Sequence, residues 1–311
     1  MATCIDVMAD AMKAASTGGV ESPARLFTPL IDGSGTLALM PGSIAEPGIF
    51  GAKIISILGD NLARELSVIQ GFITLFDHGT GTPIALIEGS SVTAIRTAAA
   101  SGLATKLLAH DAAKTHGIFG TGVQAASHID AIAAARPNLR DVIVRGRSSE
   151  KTAAFVAKHA RRTGLNIRQA ATAEEAGSCD VVSTTTAATS PILKGAWLQP
   201  GAHVNLVGAY TPETREADTD AIIQSKIYVD LMHSALAEAG DLLIPINEGA
   251  IAQSAIVGEI GRVVAGERPG RVSETEITLY KSLGIVAQDL FAAHAVYLEA
   301  LKQNTGTVVE F

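Results

Sequence analysis

The chain has little cysteine, little aromatic surface and few charges for its length. Of 311 residues, two are Cys, 4% are Phe, Trp or Tyr, and 18% are Asp, Glu, Lys or Arg. Two distant thiols, Cys4 and Cys179, argue against a disulfide framework and are typical of a protein of the reducing cytoplasm. Aromatic stacking platforms and basic tracts are both missing, and the net charge is −7, which argues against nucleic acid as a partner.

Metal-ligand spacing and a membrane-spanning run are also missing. The eight His residues show no ligand spacing, so no metal is predicted. The charge-poor stretch 195–212 contains Gly, Pro, Asn and His, which favours loops and strands of a soluble core. We expect no signal peptide at the start of the chain. We therefore expect a cytoplasmic protein with no membrane partner. Its hydrophobic fraction of 47% is ample for one large or two moderate domains.

A glycine-rich turn lies between two apolar runs in the middle of the chain. Residues 117–119 predict a buried strand, Gly120-Thr121-Gly122 a tight turn, and residues 123–135 an Ala-rich helix, with a second strand over 142–145. A strand that enters a helix through Gly-x-Gly is typical of dinucleotide binding, because the helix N-terminus offers free N–H groups to the pyrophosphate. The alternative is an ordinary turn between a strand and a helix.

The residues after the second strand bear on which dinucleotide binds. An NAD-preferring site usually has an acid there for the ribose hydroxyls. This chain has Arg145-Gly146-Arg147-Ser148 instead, with no acid before Glu150. Since arginines can bind a 2′-phosphate, we predict NADP(H) as the preferred cofactor, with NAD(H) as the second choice. The alternative is that both arginines are solvated loop charges.

Two patterns of predicted elements divide the chain. The first hundred or so residues show an N-terminal helix and strands joined by turns, which is an antiparallel pattern. From residue 109 strands and helices alternate, which indicates a parallel sheet. A last helix over 283–303 has an apolar stripe and is expected to pack back on the first unit. The predicted fold class is therefore α/β, with a Rossmann-type doubly wound parallel sheet in residues 109–284. A discontinuous α+β domain is predicted from residues 1–108 and 285–311.

Three cations stand out in the N-terminal unit. Arg25 begins a predicted strand after Ser22-Pro23, and Lys53 lies mid-strand among apolar residues, where a charge needs a partner. Arg96 falls in the first turns of a helix predicted over 91–109. A helix start already favours anions, so a cation there indicates a bound carboxylate or phosphate. Each cation alone can be a surface or salt-bridged residue, and only their convergence in space indicates a function.

Short motifs along nearly the whole chain carry a family resemblance. They lie at residues 22–25, 39–41, 93–99, 120–125, 200–205, 207–209, 212–216, 238–241 and 281–284. The Arg-Thr-Ala-Ala stretch at 96–99 together with Gly-x-Gly-x-Gln at 120–124 is the specific part. With these motifs the chain resembles the ornithine cyclodeaminase/mu-crystallin family.

The resemblance implies roles for individual residues. Arg25, Lys53 and Arg96 would bind a substrate α-carboxylate, and Lys53 is the candidate catalytic proton source. The domain that carries them would also form a homodimer. The resemblance also places residues 184–186 and Ser282 near the nicotinamide, where the alternative is that they are simple strand-end hydroxyls. The pattern and the resemblance together predict these cofactor-binding residues: Gly120, Thr121, Gly122, Val123, Gln124, Arg145, Arg147, Ser148, Thr184, Thr185, Thr186, Val207, Gly208 and Ser282.

Two positions that hold carboxylates in the cyclodeaminases of this family bear on which reaction the chain catalyses. Cyclodeaminases of the family carry a Glu two residues before Met-Pro and an Asp after Val-Gly-Gly, positions that hold Ala38 and Tyr210 here. Without these acids, no carboxylate is available to bind the distal ammonium of a diamine substrate. None is available either as the general base that would activate the distal amine for attack. Glu216 and Asp241 are interpreted as structural, capping a helix or pairing Arg215.

The predicted activity is NAD(P)H-dependent reduction of cyclic ketimine carboxylates. Δ1-pyrroline-2-carboxylate would give L-proline, and Δ1-piperideine-2-carboxylate would give L-pipecolate. Two alternatives stay open. One is an ornithine cyclodeaminase, which converts L-ornithine to L-proline and ammonia. The other is a non-catalytic, NADPH-dependent protein that binds a small ligand.

Overall fold

Two separate β-sheets organise the chain. The computed structural model describes residues 1–309, apart from the Leu62 side chain. The end of the predicted domain 285–311, Glu310 and Phe311, lies outside the described residues. One sheet has six strands, the other has eight, and both counts refer to the described part of the chain.

The first sheet is antiparallel and lies in the N-terminal third. Its core runs in the order β1-β3-β4-β5-β6, and β2 also pairs with β3. Met40, Lys53, Ile73 and Ile87 are paired across four neighbouring strands, so they share one face of the sheet. The strands are β1 (Val20–Glu21), β2 (Leu26–Pro29), β3 (Thr36–Ile44), β4 (Ile49–Ile57), β5 (Ile69–Asp77) and β6 (Pro83–Glu88).

The second sheet is parallel throughout and has the order β13-β12-β14-β11-β10-β7-β8-β9. The chain leaves β7 towards one edge and later returns to pair β10 on the other side, which makes the β7/β10 boundary the switch point of the sheet. Ligands of such sheets bind beyond the carboxyl ends of the strands at this point. The strands are β7 (Thr115–Phe119), β8 (Asp141–Arg145), β9 (Asn166–Gln169), β10 (Val181–Thr184), β11 (His203–Leu206), β12 (Ser225–Val229), β13 (Ile256–Glu259) and β14 (Ile277–Lys281).

The helices pack between and outside the sheets. None of the described helices is both long and apolar enough to cross a bilayer. Their bounds are α1 (Ala2–Ser16), α2 (Gly89–Leu108), α3 (Val123–Ala135), α4 (Ser149–Thr163), α5 (Ala173–Gly177), α6 (Thr219–Ile223), α7 (Met232–Glu238), α8 (Gly240–Asn247), α9 (Ile260–Val264) and α10 (Val286–Gln303).

Helix α2 connects the two sheets. It is Ala-rich and buried on nearly every side, and it packs against α1, α3, α10, β5 and β11. Small side chains allow this close approach from all directions. The helix begins at Gly89, because the Glu88 carboxylate accepts hydrogen bonds from the N–H groups of Ser90 and Ser91 at 2.6 and 2.8 Å. The predicted start at residue 91 was therefore wrong. Arg96 is the eighth residue of α2, not a residue of its first turns.

Helix α10 returns to the antiparallel unit, where it packs on β3, β4 and β5. It begins at Val286 and not at the predicted Leu283, because Leu283 and Gly284 belong to a turn held by Asp230. The predicted α/β class, with a parallel sheet beside an antiparallel unit, is confirmed. The division into 1–108 with 285–311 and 109–284 stays a prediction.

Candidate active site

A cavity of about 360 Å³ lies between the antiparallel sheet and the carboxyl ends of the parallel strands. One wall carries Lys53 of β4 and Arg96 of α2. The opposite wall is formed by residues that directly follow β10, β11 and β14: Thr185, Thr186, Val207, Gly208 and Ser282. Among the described residues no Asp or Glu lines this cavity. The switch point of the sheet and a cluster of cations therefore face the same space.

The three predicted cations converge in this cavity, which Arg25, Lys53 and Arg96 all line. Lys53 and Arg96 are 2% and 4% exposed. Lys53 reaches the cavity because it lies on the inward face of β4, opposite Met40 of β3. Three buried or half-buried cations on one wall form a site for an anion, and a carboxylate matches their donors.

The partner that Lys53 requires is Asp289 of α10. Its Oδ2 lies 2.7 Å from Lys53 Nζ, and its Oδ1 accepts a hydrogen bond from Arg96 Nε at 2.8 Å. Arg96 Nη1 donates to Gln288 Oε1 at 2.5 Å. The Asp289 side chain is fully buried. One carboxylate thus pairs with two buried cations. The group formed by Lys53, Arg96 and Asp289 therefore keeps a net positive charge beside the cavity.

Burial and charge oppose each other in this cluster. Burial lowers the pKa of Lys53 to about 8, although the Asp289 carboxylate acts to raise it. For Asp289, burial acts to raise the pKa, but Arg96 and Lys53 outweigh it and keep the pKa below its ordinary value. At neutral pH the cluster therefore consists of an ionised carboxylate and charged cations.

Arg25 is fixed by a turn of the parallel domain. Its Nη2 donates to the carbonyl oxygens of Leu283 and Gly284 at 3.3 and 3.1 Å and lies 2.8 Å from Glu238 Oε2. The buried Asp230 carboxylate accepts the N–H groups of Leu283 and Gly284, each at 2.7 Å. The position of Arg25 therefore depends on the loop between β14 and α10.

The glycine-rich turn has the backbone that a dinucleotide requires. Gly120 has φ +119°, and a Cβ there would lie 2.7 Å from Thr185 Oγ1. Around Gly122 a Cβ would meet nothing within 4 Å, and Gly122 caps α3 without a side-chain hydrogen bond. Thr121 is half-buried and Val123 exposed beside it. The first N–H groups of α3 thus face open space, as a pyrophosphate site needs.

Polar atoms of the cavity wall also fit a bound cofactor. Gln124 Oε1, Thr93 Oγ1 and Ser282 Oγ are buried and have no hydrogen-bond partner among the described residues. All three side chains line the cavity. Buried polar groups are normally paired, so these three are suited to a ligand that carries hydrogen-bonding groups of its own.

Comparison with known proteins decides the family. Residues 1–304 match the ornithine cyclodeaminase/mu-crystallin family. The chain belongs to this family. Delta(1)-pyrroline-2-carboxylate reductase of Bacillus cereus is 37% identical over 309 residues, which cover 99% of this chain and 94% of that protein. Ketimine reductase mu-crystallin of Mus musculus is 36% identical over 281 residues, 90% of this chain and 85% of that protein.

A solved structure of the same family superimposes closely. It is Thermococcus litoralis Delta(1)-pyrroline-2-carboxylate reductase in complex with NADH and L-proline. Its TM-score is 0.94 at 34% identity, and the match covers 98% of this chain and 95% of that chain. The architecture of the ornithine cyclodeaminase/mu-crystallin family is therefore present over almost the full described length.

In this family member, Glu216 joins the strand ends beneath the cavity. Its Oε1 accepts hydrogen bonds from Thr186 N and Oγ1 at 2.8 and 2.7 Å, and its Oε2 from Gly208 N and Thr184 Oγ1 at 2.6 and 2.7 Å. Burial raises the pKa of Glu216, and the nearby Asp241 adds to this effect. Pairing of Glu216 with Arg215, one of the two predicted roles, is wrong, since Arg215 Nη1 lies 3.5 Å from Glu248.

The predicted hydroxyl groups at the strand ends therefore lie in two different environments. Thr185 and Thr186 line the cavity, with Thr185 Oγ1 donating to Phe119 O at 3.0 Å. Thr184 does not line it, because its fully buried hydroxyl donates to Glu216. The hydroxyl of Thr184 thus supports the floor of the site and does not face the cavity.

Arg145, Arg147 and Ser148 lie at the carboxyl end of β8, outside the cavity. Arg145 is half-buried and Arg147 exposed, and neither side chain has a partner among residues 1–309. Ser148 Oγ accepts the N–H of Lys151 at 3.3 Å and so caps α4. Within the same residues no group of three His, Cys, Asp or Glu is placed to hold a metal ion.

Three functional positions escaped the sequence analysis: Asp230, Gln288 and Asp289. The signal for Asp289 was available, because it shares the apolar face of the last helix with Val286 and Ala293, three and four residues away. An acid on a buried helix face needs a cation, just as Lys53 needs an acid. For Asp230, which ends an apolar strand, the sequence offered no comparable signal.

Proposed function

We propose that the chain is an NAD(P)H-dependent reductase of cyclic ketimine carboxylates. Its substrates would be Δ1-pyrroline-2-carboxylate, giving L-proline, and Δ1-piperideine-2-carboxylate, giving L-pipecolate. The observation that carries this proposal is the convergence of Arg25, Lys53 and Arg96 on a cavity whose other wall is the switch point of a dinucleotide-type sheet. The named activities of the 37% and 36% identical relatives support it.

The cations would orient the substrate. Arg25, Lys53 and Arg96 bind the carboxylate, which fixes the imine carbon beside the wall formed by Thr185, Thr186 and Gly208. Apolar side chains around them, including Ile55 and Ile57, suit the ring methylenes and exclude water. Holding both reactants in one orientation removes most of the entropic cost of a reaction between two molecules.

The reaction needs a hydride and a proton. A bound nicotinamide cofactor supplies the hydride, which adds to C2 of the imine. The imine nitrogen takes up the proton, and we propose Lys53, or a water held beside it, as the source. With its pKa lowered to about 8, the Lys53 ammonium is charged at neutral pH yet close enough to that value to give up a proton.

For the cofactor we propose the residues of the glycine-rich turn as the pyrophosphate site and Thr185, Thr186 and Ser282, which line the cavity, as neighbours of the nicotinamide. The relative of known structure binds NADH. We propose that this chain prefers NADP(H), since Arg145 and Arg147 follow β8 where an NAD site usually has an acid, and since neither has a protein partner among the described residues.

We also propose that the chain forms a homodimer through its antiparallel sheet. Leu37, Phe72 and Leu86 lie on the face opposite Lys53 and are 42%, 38% and 66% exposed. An apolar sheet face of this extent is typical of an interaction surface. We place the dimer in the cytoplasm, where the free thiols Cys4 and Cys179 would remain reduced.

Oxidation of the reduced cofactor tests the proposed activity. The purified protein is incubated with NADPH or NADH and Δ1-pyrroline-2-carboxylate, and the absorbance at the nicotinamide band is followed while L-proline is measured. A parallel incubation with ornithine and NAD is assayed for ammonia. We expect turnover in the first and none in the second, because the cavity wall offers no acid to a distal ammonium. Ammonia release would favour a cyclodeaminase, and ligand binding without turnover would favour a binding protein.

A further inference from the structure

Asp289 occupies an unusual electrostatic position. It lies between Lys53 and Arg96, and all three side chains are at least 95% buried. The charged groups that act on Lys53 are Asp289 from α10, Arg96 from α2 and Arg25 from the segment before β2. Asp289 is the sole anion in this set, so it is the group that offsets the repulsion among three cations.

The same carboxylate also determines which donors of Arg96 remain free. Asp289 Oδ1 accepts from Nε and Gln288 Oε1 accepts from Nη1, while Nη2 has no partner among the described residues. The guanidinium packs against the backbone of Gly284, where a Cβ would lie 2.5 Å from Nη1 and 2.9 Å from Nη2. Two neighbouring residues of one helix thus accept from Nε and Nη1 and leave Nη2 for a ligand.

We propose that Asp289 is a positioning residue, which keeps the Lys53 ammonium charged between two guanidinium groups and holds Arg96 with its Nη2 edge free for the ligand carboxylate. This inference rests on the proposed function, in which these cations bind the substrate carboxylate. Asp289 itself does not line the cavity and acts through the two side chains that do.

A consequence for charge follows from the geometry. Without the carboxylate, Lys53 would remain buried beside Arg96 and Arg25 with no anion to stabilise its charged form. Its pKa, about 8 with Asp289 in place, would then fall, and the ammonium would lose its proton at a lower pH. Affinity for a carboxylate would decrease at a lower pH than in the natural protein.

The test measures carboxylate affinity and not turnover. Pyrrole-2-carboxylate is a planar five-membered ring whose carboxyl is ionised above pH 6 and whose nitrogen does not titrate in the working range. Its affinity, measured by calorimetry at saturating NADH between pH 6 and 9.5, therefore reports titration of the protein. For the wild type we expect affinity to decline above a pH of about 8.

The variants separate charge from structure. In Asp289→Asn the decline in affinity should begin at least one pH unit lower than in the wild type. The ratio of wild-type affinity to variant affinity should therefore be about tenfold larger at pH 9 than at pH 6. Asp289→Glu keeps the charge and should keep the wild-type midpoint. Asp241→Asn is the matched control, because it makes the same change beside another buried lysine, Lys281, at 2.9 Å. It should also leave the midpoint in place.

Each outcome decides the proposal. An Asp289→Asn profile that parallels the wild type at lower affinity overturns it, since a structural defect alone would act equally at every pH. Wild-type protein that binds no pyrrole-2-carboxylate at any pH overturns the carboxylate site itself and with it the proposed function. If Asp289→Asn does not fold, the Lys53→Met/Asp289→Asn double variant decides: recovery of folding supports the charge-balancing role, and its absence overturns it.

Discussion

At the scale of single residues, the site is built from charges that are buried in pairs. Lys53 and Arg96 share Asp289, and Lys281 pairs with Asp241. Removing one member of such a pair leaves an uncompensated charge, which costs far more than the pair contributes. Substitutions at these positions are therefore interpretable only with controls that leave the remaining charges balanced.

Arg96→Ala tests the carboxylate contact directly. We expect kcat/KM for Δ1-pyrroline-2-carboxylate to fall by the equivalent of about 2–4 kcal/mol, because a charge-assisted hydrogen bond to the substrate is lost. Steady-state kinetics at saturating cofactor measure the effect. Arg162→Ala is the control, since Arg162 pairs with Asp130 on the surface at 2.8 Å and should leave kcat/KM unchanged. Unchanged kinetics in Arg96→Ala would remove this residue from the site.

Arg147→Ala tests the preference for the phosphorylated cofactor. The exposed guanidinium should contact the 2′-phosphate, so kcat/KM for NADPH should fall about tenfold while that for NADH stays within about twofold. Arg161→Ala, at an exposed arginine of α4, should change neither value. A wild-type enzyme that uses NADH at least tenfold better than NADPH would contradict the proposal.

The residues of the site differ in how far the sequence could predict them. Lys53 could be singled out because a lysine in an apolar strand is rare, and Gly120 because its turn follows a strand and precedes a helix. The partner of Arg96 could not be assigned, since Asp289 lies 193 residues away along the chain. The direction of the Thr184 hydroxyl could not be predicted, because strand-end hydroxyls can point to either face, and only the position of Glu216 decides between them.

At the scale of elements, boundaries with a strong local signal were predictable. Helix α3 has the predicted ends, 123 and 135, since it begins directly after the Gly-x-Gly turn and ends where the run of small apolar residues stops. The region 231–282 was not predicted, because α7, α8, α9 and β13 are each of four to eight residues and show no periodicity. Helix α2 has no single apolar stripe that a sequence pattern could show, since Ile95 is 45% exposed while small residues on the other faces are buried.

Glu88→Ala tests the cap that starts α2. The carboxylate accepts the N–H groups of Ser90 and Ser91, so its loss should lower the free energy of unfolding by about 1 kcal/mol. Burial acts to raise the pKa of Glu88, but these hydrogen bonds lower it to about 2, so the cap holds above pH 4.5 and is lost as the pH falls towards 2. Urea denaturation at pH 7 measures the change.

A control for the cap is available on α4. Glu150 lies in the first turn of that helix, whose cap is already supplied by Ser148. Glu150→Ala should therefore change the free energy of unfolding by only a few tenths of a kcal/mol. Equal effects of the two substitutions would mean that Glu88 acts through general charge near a helix end and not as a cap.

At the scale of the whole molecule, neutral histidines take part in polar contacts that join the parallel sheet to α2 and α2 to α3. His203 contacts Thr278 Oγ1 at 2.9 Å and Asn205 Oδ1 at 3.2 Å, and Asn205 donates to Thr105 Oγ1 of α2 at 3.1 Å. His128 of α3 contacts Ser101 Oγ at 2.9 Å. The order of the eight strands and this polar contact between layers depend on long-range packing, which no local pattern in the sequence encodes.

Acid should destabilise the protein through these histidines. Burial lowers the pKa of His116 and His203 to about 3 and of His128 to about 4. Unfolded histidines bind protons below about pH 6.5 while the buried ones stay neutral, so stability decreases as the pH falls from 6.5 to about 4. Each histidine contributes roughly 1.4 kcal/mol per pH unit in that range. Urea denaturation at several pH values measures the slope.

One variant tests the origin of that slope. His128→Gln removes a single titrating ring, and the dependence of unfolding free energy on pH should decrease by about a third. His78→Gln changes an exposed histidine and should leave the slope as it is. A slope that is unaffected by His128→Gln would assign the acid sensitivity to other groups.

A substitution on the exposed apolar face of the antiparallel sheet tests the proposed dimer. Leu86→Glu places a charge on the exposed apolar sheet face, at the edge strand β6, so it should convert a dimer into a monomer in light scattering after size-exclusion chromatography. Ile223→Glu, at a residue that is 54% exposed on α6, is the matched control and should leave the molar mass unchanged. A wild-type monomer at micromolar concentration would contradict the proposed assembly.

The position of Asp289 in α10 also has a consequence for synthesis on the ribosome. Lys53 and Arg96 are translated early, but their shared counter-ion lies in the last helix, 193 residues after Arg96. Until that helix leaves the exit tunnel, burying either cation would cost several kcal/mol without compensation. The antiparallel unit therefore completes its folding only after α10 has left the exit tunnel.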